Sequence, residues 1–541
     1  MPPKSTVPAI VQTLYWKTAV SKVRNILFIM CDQLRRDYLG CYGHPTIRTP
    51  HLDALAARGT RFTRAYVQGP VCGPSRMSTY TGRYVASHGA TWNFVPLPVQ
   101  IPTLGDYMRN VGLRKALIGK SHVLPDILGL QRLGIDPASG VGSLLAQGGF
   151  EPFARHDGIV PDAKAEQGKP AYNGYLQQNG YGARNAWHEF ANAGTDIHGQ
   201  LQSGWQMRNA GLAARVKEEH SETAWVTDEG LRFIKEQSDK PWCLHLSYVK
   251  PHWPYIAPAP YHDAYGPEDV IPAARSDAER SQGHPVLRAF QQHVDSQSFA
   301  RDEVRTTVIP TYMGLVKQID EHVGRLMQAL KALGRQDDTL VVFTSDHGDL
   351  LGDHWLGEKE MFYESSAAVP LIVVDPRAAV TGKTCDALVE SIDLIPTFLD
   401  ALGAPPEGCW LEGQSLMPAV CGTGKVLREA AFSELDYAFY PAARMLGLDV
   451  NGAKATMACT DRWKYVDYMG FEPQLFDLKQ DPQELLDLGT SSAHASVREE
   501  MQVRLAHWRS SLRSRTTMPD LEARKLVERR NTMKDFVIGA W

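Results

Sequence analysis

The chain has 541 residues, of which 43% are hydrophobic and 22% charged, and its 57 basic and 61 acidic side chains leave a formal charge of -4. This composition is typical of a packed globular protein and excludes a fibrous or intrinsically disordered one. The charges form no long run of one sign, which argues against nucleic-acid or membrane-surface partners.

Neither targeting signals nor cysteine frameworks are indicated. The N-terminal stretch 1–20 interrupts its short apolar run with polar and charged residues, unlike a signal peptide, and no later stretch reaches ~18 consecutive apolar residues. The eight cysteines form no C-x-x-C pair, so neither a disulfide framework nor a structural zinc site is expected. We therefore expect a cytoplasmic protein with no nucleic-acid or membrane partner.

Short, strongly apolar runs bounded by turn signals predict five buried strands. The runs are NILFIMC (25–31), KALIG (115–119), WCLHLSYV (242–249), TLVVFTS (339–345) and VPLIVV (369–374). Helical segments are predicted among them at 51–59, 102–112, 221–237 and 312–334. Continuous apolar strands that alternate with helices indicate an α/β fold with a mainly parallel sheet, buried on both faces and flanked by helices.

The pattern divides the chain into three parts. An N-terminal extension (1–24) precedes a large α/β domain (25–425), in which 126–220 and 259–300 lack clear periodicity and predict loops over the sheet. Residues 426–541 contain short strands and turns followed by a charged helical tail, and they predict a smaller α+β subdomain. The tail ends in apolar VIGAW, which suits docking on a neighbouring copy, so we expect a homo-oligomer.

Polar clusters directly follow four of the predicted strands. Ligands of open α/β sheets bind beyond the carboxyl ends of the strands, so these clusters are the first candidates for a functional site. They are Asp32-Gln33, Lys120-Ser121-His122, Lys250-Pro251-His252 and Asp346-His347.

The segment VCGPSRMSTYTGRY (71–84) contains C-x-P-S-R followed by a T-G-R turn. It resembles the signature of type I sulfatases and phosphonate monoester hydrolases of the alkaline phosphatase superfamily, in which the cysteine is oxidised to formylglycine. Because the strand-end clusters occur in the family's order, the resemblance extends over nearly the whole chain. It implies an alkaline-phosphatase-like fold with the catalytic domain at 25–425, a divalent metal, and a maturation enzyme that converts Cys72.

The chemistry of a metal-assisted ester hydrolysis explains why Cys72 would be modified. Beside a hard dication, an oxygen nucleophile suits the metal better than a thiolate. One hydroxyl of the hydrated aldehyde attacks sulfur or phosphorus, and the second lets the resulting hemiacetal ester expel the anion and restore the aldehyde. The alternative is an unmodified Cys72 in a protein that binds an oxyanion without turning it over.

The resemblance also implies a metal site. Its ligands would be Asp32, Gln33, modified Cys72, Asp346 and His347. Many sulfatases have a second Asp in place of Gln33 and an Asn in place of His347, whereas Asp-Gln with Asp-His resembles phosphonate monoester hydrolases and some sulfatases such as choline sulfatase. One fewer carboxylate and an imidazole favour Mn²⁺, with Ca²⁺ or Mg²⁺ as alternatives.

Stabilising the charge that shifts to the leaving oxygen requires fixed cations and hydrogen-bond donors. Family positions for this work are matched by Asn93, Lys120, His122, His252 and Lys359. Of these, His252 is expected to protonate or stabilise the leaving group, and His122 to act as the base when the hemiacetal collapses. Arg76, four residues after Cys72, is expected to hold the modified residue in place.

The preferred ester class is indicated by two conflicting features. Lys120 and His122 lie in an I-G-K-S-H element that resembles sulfatases, whereas Asp32-Gln33, Lys250-Pro251-His252 and the C-terminal segment resemble the phosphonate monoester hydrolase branch. We predict arylsulfatase activity on small sulfate esters. The alternative is a phosphonate monoester hydrolase or phosphodiesterase with promiscuous sulfatase activity.

Overall fold

A computed structural model describes residues 23–158, 171–404, 410–425 and 428–532. Most of the predicted N-terminal extension (1–24) and the whole of the VIGAW terminus (537–541) lie outside the described residues. Within the described residues, no helix is both long enough and apolar enough to cross a membrane.

The described strands form one large sheet, one smaller sheet and two short ribbons. Their bounds are β1 (Asn25–Asp32), β2 (Thr60–Tyr66), β3 (Arg114–Gly119), β4 (Glu151–Arg155), β5 (Ala193–Thr195), β6 (Leu201–Ser203), β7 (Ala213–Ala214), β8 (Trp242–Pro251), β9 (Ala257–Pro258), β10 (Thr339–Ser345), β11 (Ala368–Val374), β12 (Lys383–Glu390), β13 (Ala431–Asp436), β14 (Lys454–Cys459), β15 (Trp463–Tyr468) and β16 (Gln474–Asp477).

Helices flank the large sheet and continue to the C-terminal end of the described chain. Their bounds are α1 (Pro50–Arg58), α2 (Cys72–Thr81), α3 (Val85–His88), α4 (Leu104–Asn110), α5 (Ile127–Arg132), α6 (Gly140–Leu145), α7 (Ala171–Gln178), α8 (Glu222–Glu236), α9 (Asp277–Gln282), α10 (Pro285–Phe290), α11 (Val294–Phe299), α12 (Asp302–Ala332), α13 (Glu364–Ala367), α14 (Leu394–Ala401), α15 (Met417–Cys421), α16 (Pro441–Met445), α17 (Ala495–Ser511) and α18 (Asp520–Thr532).

The large sheet confirms the predicted α/β class. Its eight strands run in the order β12-β2-β11-β10-β1-β8-β3-β4, and all neighbours pair in parallel except at β11, which is antiparallel to both β10 and β2. Every residue of β1 is buried. Leu27 and Ile29 share a core with Val316 of α12, whereas Ile26 and Phe28 pack with Phe398 of α14, so both faces of the strand are covered.

One helix and two strands differ from the sequence prediction. The helix predicted at 312–334 begins ten residues earlier, at Asp302, and Pro310 lies inside it. The apolar face continues through buried Val308 and Ile309, and this tertiary packing outweighs the helix-breaking tendency of the proline. Strands β2 and β12 were not predicted from the sequence. Each has several half-buried or exposed positions, so neither contains a continuous apolar run.

The segments predicted as loops over the sheet contain short elements. Three short helices, α5 to α7, and the β5–β6 ribbon occur in 126–220, and α9 to α11 occur in 259–300. The loop prediction was wrong for 151–155, because these residues form β4, an edge strand of the large sheet. Beyond them, β13 to β16 form the predicted small sheet, which is antiparallel throughout. Trp508 of α17 stacks on Phe432 of β13, with ring centroids 4.7 Å apart, so this helix covers one face of the small sheet.

Candidate active site

The polar clusters after the strands meet at one edge of the large sheet. Strands β10, β1, β8 and β3 are adjacent and parallel, so their carboxyl ends lie side by side. This register brings together Asp346, Asp32, His252 and Lys120, each of which follows or ends one of those strands.

Four buried side chains form a compact donor group at this edge. One ligand atom from each of Asp32, Cys72, Asp346 and His347 lies within 4.8 Å of the others. The Cys72 Sγ is 3.1 Å from His347 Nε2 and 3.7 Å from Asp32 Oδ1. His347 Nδ1 is 2.8 Å from the carbonyl oxygen of Gly348, a contact that suits a protonated Nδ1 and leaves the Nε2 lone pair for the group.

The electrostatics of this donor group favour a bound cation. Burial raises the pKa of Asp346, and the neighbouring Asp32 carboxylate adds to the shift, because two buried like charges repel each other. Two carboxylates and an imidazole also match the ligand types of a divalent metal with hard-oxygen preference. The residues present therefore fit the metal that the family resemblance implies.

Gln33 contacts this group through its backbone. Its N–H donates to Asp346 Oδ1 at 3.1 Å, while its side-chain Nε2 donates to Asp349 Oδ2 at 2.6 Å. The Oε1 atom accepts a hydrogen bond from Lys359 Nζ at 2.8 Å. The side-chain oxygen of Gln33, which was predicted to bind the metal, is thus hydrogen-bonded to Lys359 in the site.

Cys72 is the first residue of α2 and is only 1% exposed. The next N–H, that of Gly73, donates to Asn93 Oδ1 at 2.7 Å, so Asn93 satisfies a free amide at the start of the helix. A side chain at Gly73 would place Cβ 2.9 Å from Asn93 Cα, which explains the glycine. The helix start directs its positive end at the Cys72 position, where negative charge is favoured.

Arg76 lies one turn further along α2 and is fully buried. Its Nε donates to Asp346 Oδ2 at 2.7 Å. Its Nη1 donates to the Lys120 carbonyl and to Ser247 Oγ, both at 2.9 Å. Through these contacts Arg76 holds a member of the donor group and connects the ends of β10 and β3 with Ser247 of β8.

Cationic side chains line the remaining edge of the site. Lys120 Nζ hydrogen-bonds to the Asp32 carboxylate, and Lys359 Nζ lies 3.2 Å from His252 Nε2. Burial raises the pKa of the Cys72 thiol, but Lys120 and Lys359, with His347 and a hydrogen bond from His122, hold it well below its ordinary value. Burial lowers the pKa of His252 to about 4, so its imidazole is neutral near pH 7.

Two family models match this chain. Residues 24–404 match the Sulfatase model, and residues 352–511 match the model named N-sulphoglucosamine sulphohydrolase, C-terminal. The chain belongs to the sulfatase family. This confirms the predicted resemblance and identifies the protein as a hydrolase.

Relatives of this chain include proteins named for different ester classes. It is 32% identical to the multifunctional alkaline phosphatase superfamily protein PehA of Trinickia caryophylli, over 91% of this chain and 96% of that protein. It is 28% identical to an arylsulfatase of Clostridium perfringens, over 87% of this chain and 91% of that protein. The phosphonate monoester hydrolase SpPMH of Silicibacter pomeroyi superimposes with a TM-score of 0.79 at 28% identity, over 91% and 96% of the two chains.

Two further residues take part in the site through hydrogen bonds that the sequence did not predict. Asp349 accepts hydrogen bonds from Gln33 and, at 2.7 Å, from the hydroxyl of Tyr255, so the pair orients the Gln33 amide. The repeated aspartate in the segment S-D-H-G-D was the available signal for Asp349. Tyr255 was expected to contribute apolar surface beside the site, and its hydrogen bond to Asp349 left no signal in the sequence because the two residues are 94 positions apart.

Replacing Arg76 by methionine is expected to lower the free energy of unfolding by about 3–5 kcal/mol, because it leaves the buried Asp346 carboxylate without its partner. Urea denaturation of the sulfatase measures the change. The control is Arg109→Met, whose pair with Asp106 is 47% exposed on the arginine side and is worth about 0–1 kcal/mol. Equal stability losses for the two variants would contradict the structural importance assigned to Arg76.

Proposed function

We propose that this sulfatase hydrolyses small aryl sulfate monoesters, with a nucleophile derived from Cys72. One observation carries the proposal: the Cys72 Sγ lies within 4.8 Å of ligand atoms of Asp32, Asp346 and His347, three side chains that could hold a metal ion. A nucleophile in that group faces two lysines, which suits a tetrahedral oxyanion centre.

The site residues fit two groups that the family implies. A divalent metal, for which we favour Mn²⁺, would be held by Asp32, Gln33, Asp346 and His347, and it would supply Lewis acidity toward the substrate oxygens. Formylglycine, made from Cys72 by a maturation enzyme, would place a hydroxyl oxygen where the structure has the thiol sulfur.

The lysines are proposed to stabilise negative charge on the substrate. Lys120 lies against Asp32 and would face a non-bridging oxygen, whereas Lys359 contacts His252 and would face the bridging oxygen. Burial opposes the charge of Lys359, but Cys72 and nearby glutamates raise its pKa well above the ordinary value, so the ammonium persists. Fixed charges of this kind need no reorganisation during the reaction.

His252 is proposed to handle the leaving-group proton. Its Nδ1 lies 2.7 Å from the Trp253 carbonyl oxygen, which orients the ring so that Nε2 points to Lys359 Nζ. A proton held between these two nitrogens is available to the departing oxygen. His122, half-buried and close enough to hydrogen-bond to Cys72, is proposed as the base that restores the nucleophile.

Asn93 is proposed to bind substrate as well as the helix start. Its Oδ1 already accepts from the Gly73 N–H, so its amide N–H₂ group is the part available for a substrate oxygen. This arrangement would let one side chain fix both the nucleophile segment and the ester.

Phosphonate monoester or phosphodiester hydrolysis is the second candidate. It is favoured by the Asp32-Gln33 and Asp346-His347 pairs and by the relatives named phosphonate monoester hydrolase and multifunctional phosphatase superfamily protein. The presence of Lys120 at the site favours sulfate esters over phosphonate esters as the preferred substrates.

Comparison of three substrates with the same nitrophenol leaving group separates the candidates. We expect kcat/KM to be highest for the aryl sulfate, followed by the phosphonate monoester and the phosphodiester. The measurement is initial-rate kinetics on metal-saturated enzyme in which formylglycine has been verified. A lead of about tenfold or more for the phosphonate, equivalent to ~1.4 kcal/mol in transition-state stabilisation, would reverse the assignment.

A further inference from the structure

We propose that Tyr440 and Glu360 are positioning residues for Lys359, so that the segment between β13 and α16 completes the active site. The proposal rests on the proposed function, in which the Lys359 ammonium faces the bridging oxygen. It assigns a role to a tyrosine 80 positions further along the chain than Glu360.

Lys359 sits in a backbone turn of unusual conformation. Its two neighbours, Glu358 and Glu360, have φ angles of 62° and 82°, although neither is glycine. Non-glycine residues keep such angles only where surrounding contacts enforce them, and they cluster at functional sites. The enforcing contacts are the Leu350 N–H to the Glu358 carbonyl, at 2.6 Å, and the Glu360 N–H to the Pro70 carbonyl, at 3.1 Å.

Glu360 is where three segments of the chain meet. Its backbone contact reaches Pro70, two residues before Cys72. Its carboxylate Oε2 accepts the Lys359 N–H at 3.1 Å, and its Oε1 accepts the Tyr440 hydroxyl. The side chain is only 5% exposed, so these donors replace water as its partners.

The Tyr440 hydroxyl and burial have opposite effects on the pKa of the Glu360 carboxyl. Burial raises the pKa of the Glu360 carboxyl to about 8, and the Tyr440 hydrogen bond acts in the opposite direction. Burial together with Glu360 raises the pKa of Tyr440 well above its ordinary value, so the tyrosine remains a donor.

Aromatic contacts fix the direction of the Tyr440 ring. Trp92 packs edge-on against it, with centroids 4.5 Å apart at 90°, and Trp92 directly precedes Asn93 of the site. Phe290 and His293 pack at 5.3 and 5.7 Å. The ring is therefore held between the nucleophile side of the site and the helices of 285–299.

Loss of the Tyr440 hydroxyl is expected to increase the mobility of the turn at 358–360 without unfolding the protein. The buried Glu360 oxygen would lose its donor, and the Lys359 backbone would lose part of the support for its conformation. A displaced ammonium stabilises less charge on the bridging oxygen. Because that charge is larger for more basic leaving groups, poor leaving groups should suffer most.

The test compares Tyr440→Phe with the matched control Tyr437→Phe, using aryl sulfates whose phenols span a range of pKa. Tyr437 is fully buried in the same segment, and its hydroxyl has no hydrogen-bond partner among the described residues. For Tyr440→Phe we expect kcat to fall roughly tenfold for the most basic phenol and less for nitrophenol, with KM within about twofold. For Tyr437→Phe we expect the wild-type slope of log kcat against phenol pKa.

Two results would overturn the inference. One is a Tyr440→Phe slope equal to that of Tyr437→Phe, and the other is a uniform loss across all phenols, which would indicate a merely structural role. Glu360→Gln provides a second, volume-conserving variant and should steepen the slope in the same direction, even if Tyr440→Phe fails to fold. Wild-type enzyme that hydrolyses none of the esters would contradict the proposed function instead, which keeps the two failures distinct.

Discussion

Replacement of Cys72 by alanine is expected to abolish hydrolysis of sulfate, phosphonate and phosphodiester substrates alike, with kcat/KM falling by about 10⁴-fold or more. In the proposed mechanism the side chain at this position supplies the attacking atom, and the 4.8 Å donor group contains no other thiol and no hydroxyl. Initial-rate kinetics with each substrate provide the measurement. The control is Cys385→Ala, a half-buried cysteine of β12, which should retain wild-type activity.

Mass spectrometry of the peptide containing Cys72 tests the modification itself. Protein produced in its native host is expected to contain the aldehyde, which is lighter than the thiol, and activity should scale with the converted fraction. Full activity in protein that contains only cysteine would contradict a formylglycine nucleophile. Binding of an oxyanion without turnover in such protein would favour the alternative of a non-catalytic binder.

Replacing Asp346 by asparagine is expected to lower kcat/KM by about 10³-fold and to reduce the bound metal well below one per chain. The Asp346 carboxylate belongs to the donor group and accepts three hydrogen bonds, from Arg76, the Gln33 N–H and the His347 N–H. Elemental analysis of the purified protein gives the metal content independently of activity.

The control for this variant is Asp375→Asn, whose buried carboxylate pairs with Arg377 away from the donor group. It should keep its metal and its activity. Treatment of wild-type protein with a chelator should reproduce the loss, and Mn²⁺ should restore more activity than Ca²⁺ or Mg²⁺. Unchanged metal content in Asp346→Asn would exclude this carboxylate as a ligand.

Local sequence patterns were sufficient for the fold class and for most of the candidate site. The predicted strand at 25–31 was readable because burial on both faces requires an unbroken apolar run. Asp32 and Asp346 follow such runs directly, and strand topology places the ends of parallel neighbours at one edge. Cys72 was readable because its signature is contiguous in the chain.

Tertiary structure alone decided how these residues are supported. The Gln33 amide pairs with Lys359 across 326 positions, and Tyr440 reaches Glu360 from beyond the large sheet, so neither contact leaves a local pattern. Similarly, Pro310 fits within α12 because its neighbours pack against the core, which local propensity cannot register. The sequence by itself thus determined the family, five strands of the large sheet and the position of the proposed nucleophile, since these depend on short runs and spacing. The orientation of Lys359 and its link to the C-terminal segment depend on hydrogen bonds and ring packing between distant residues, and only the folded chain brings those together.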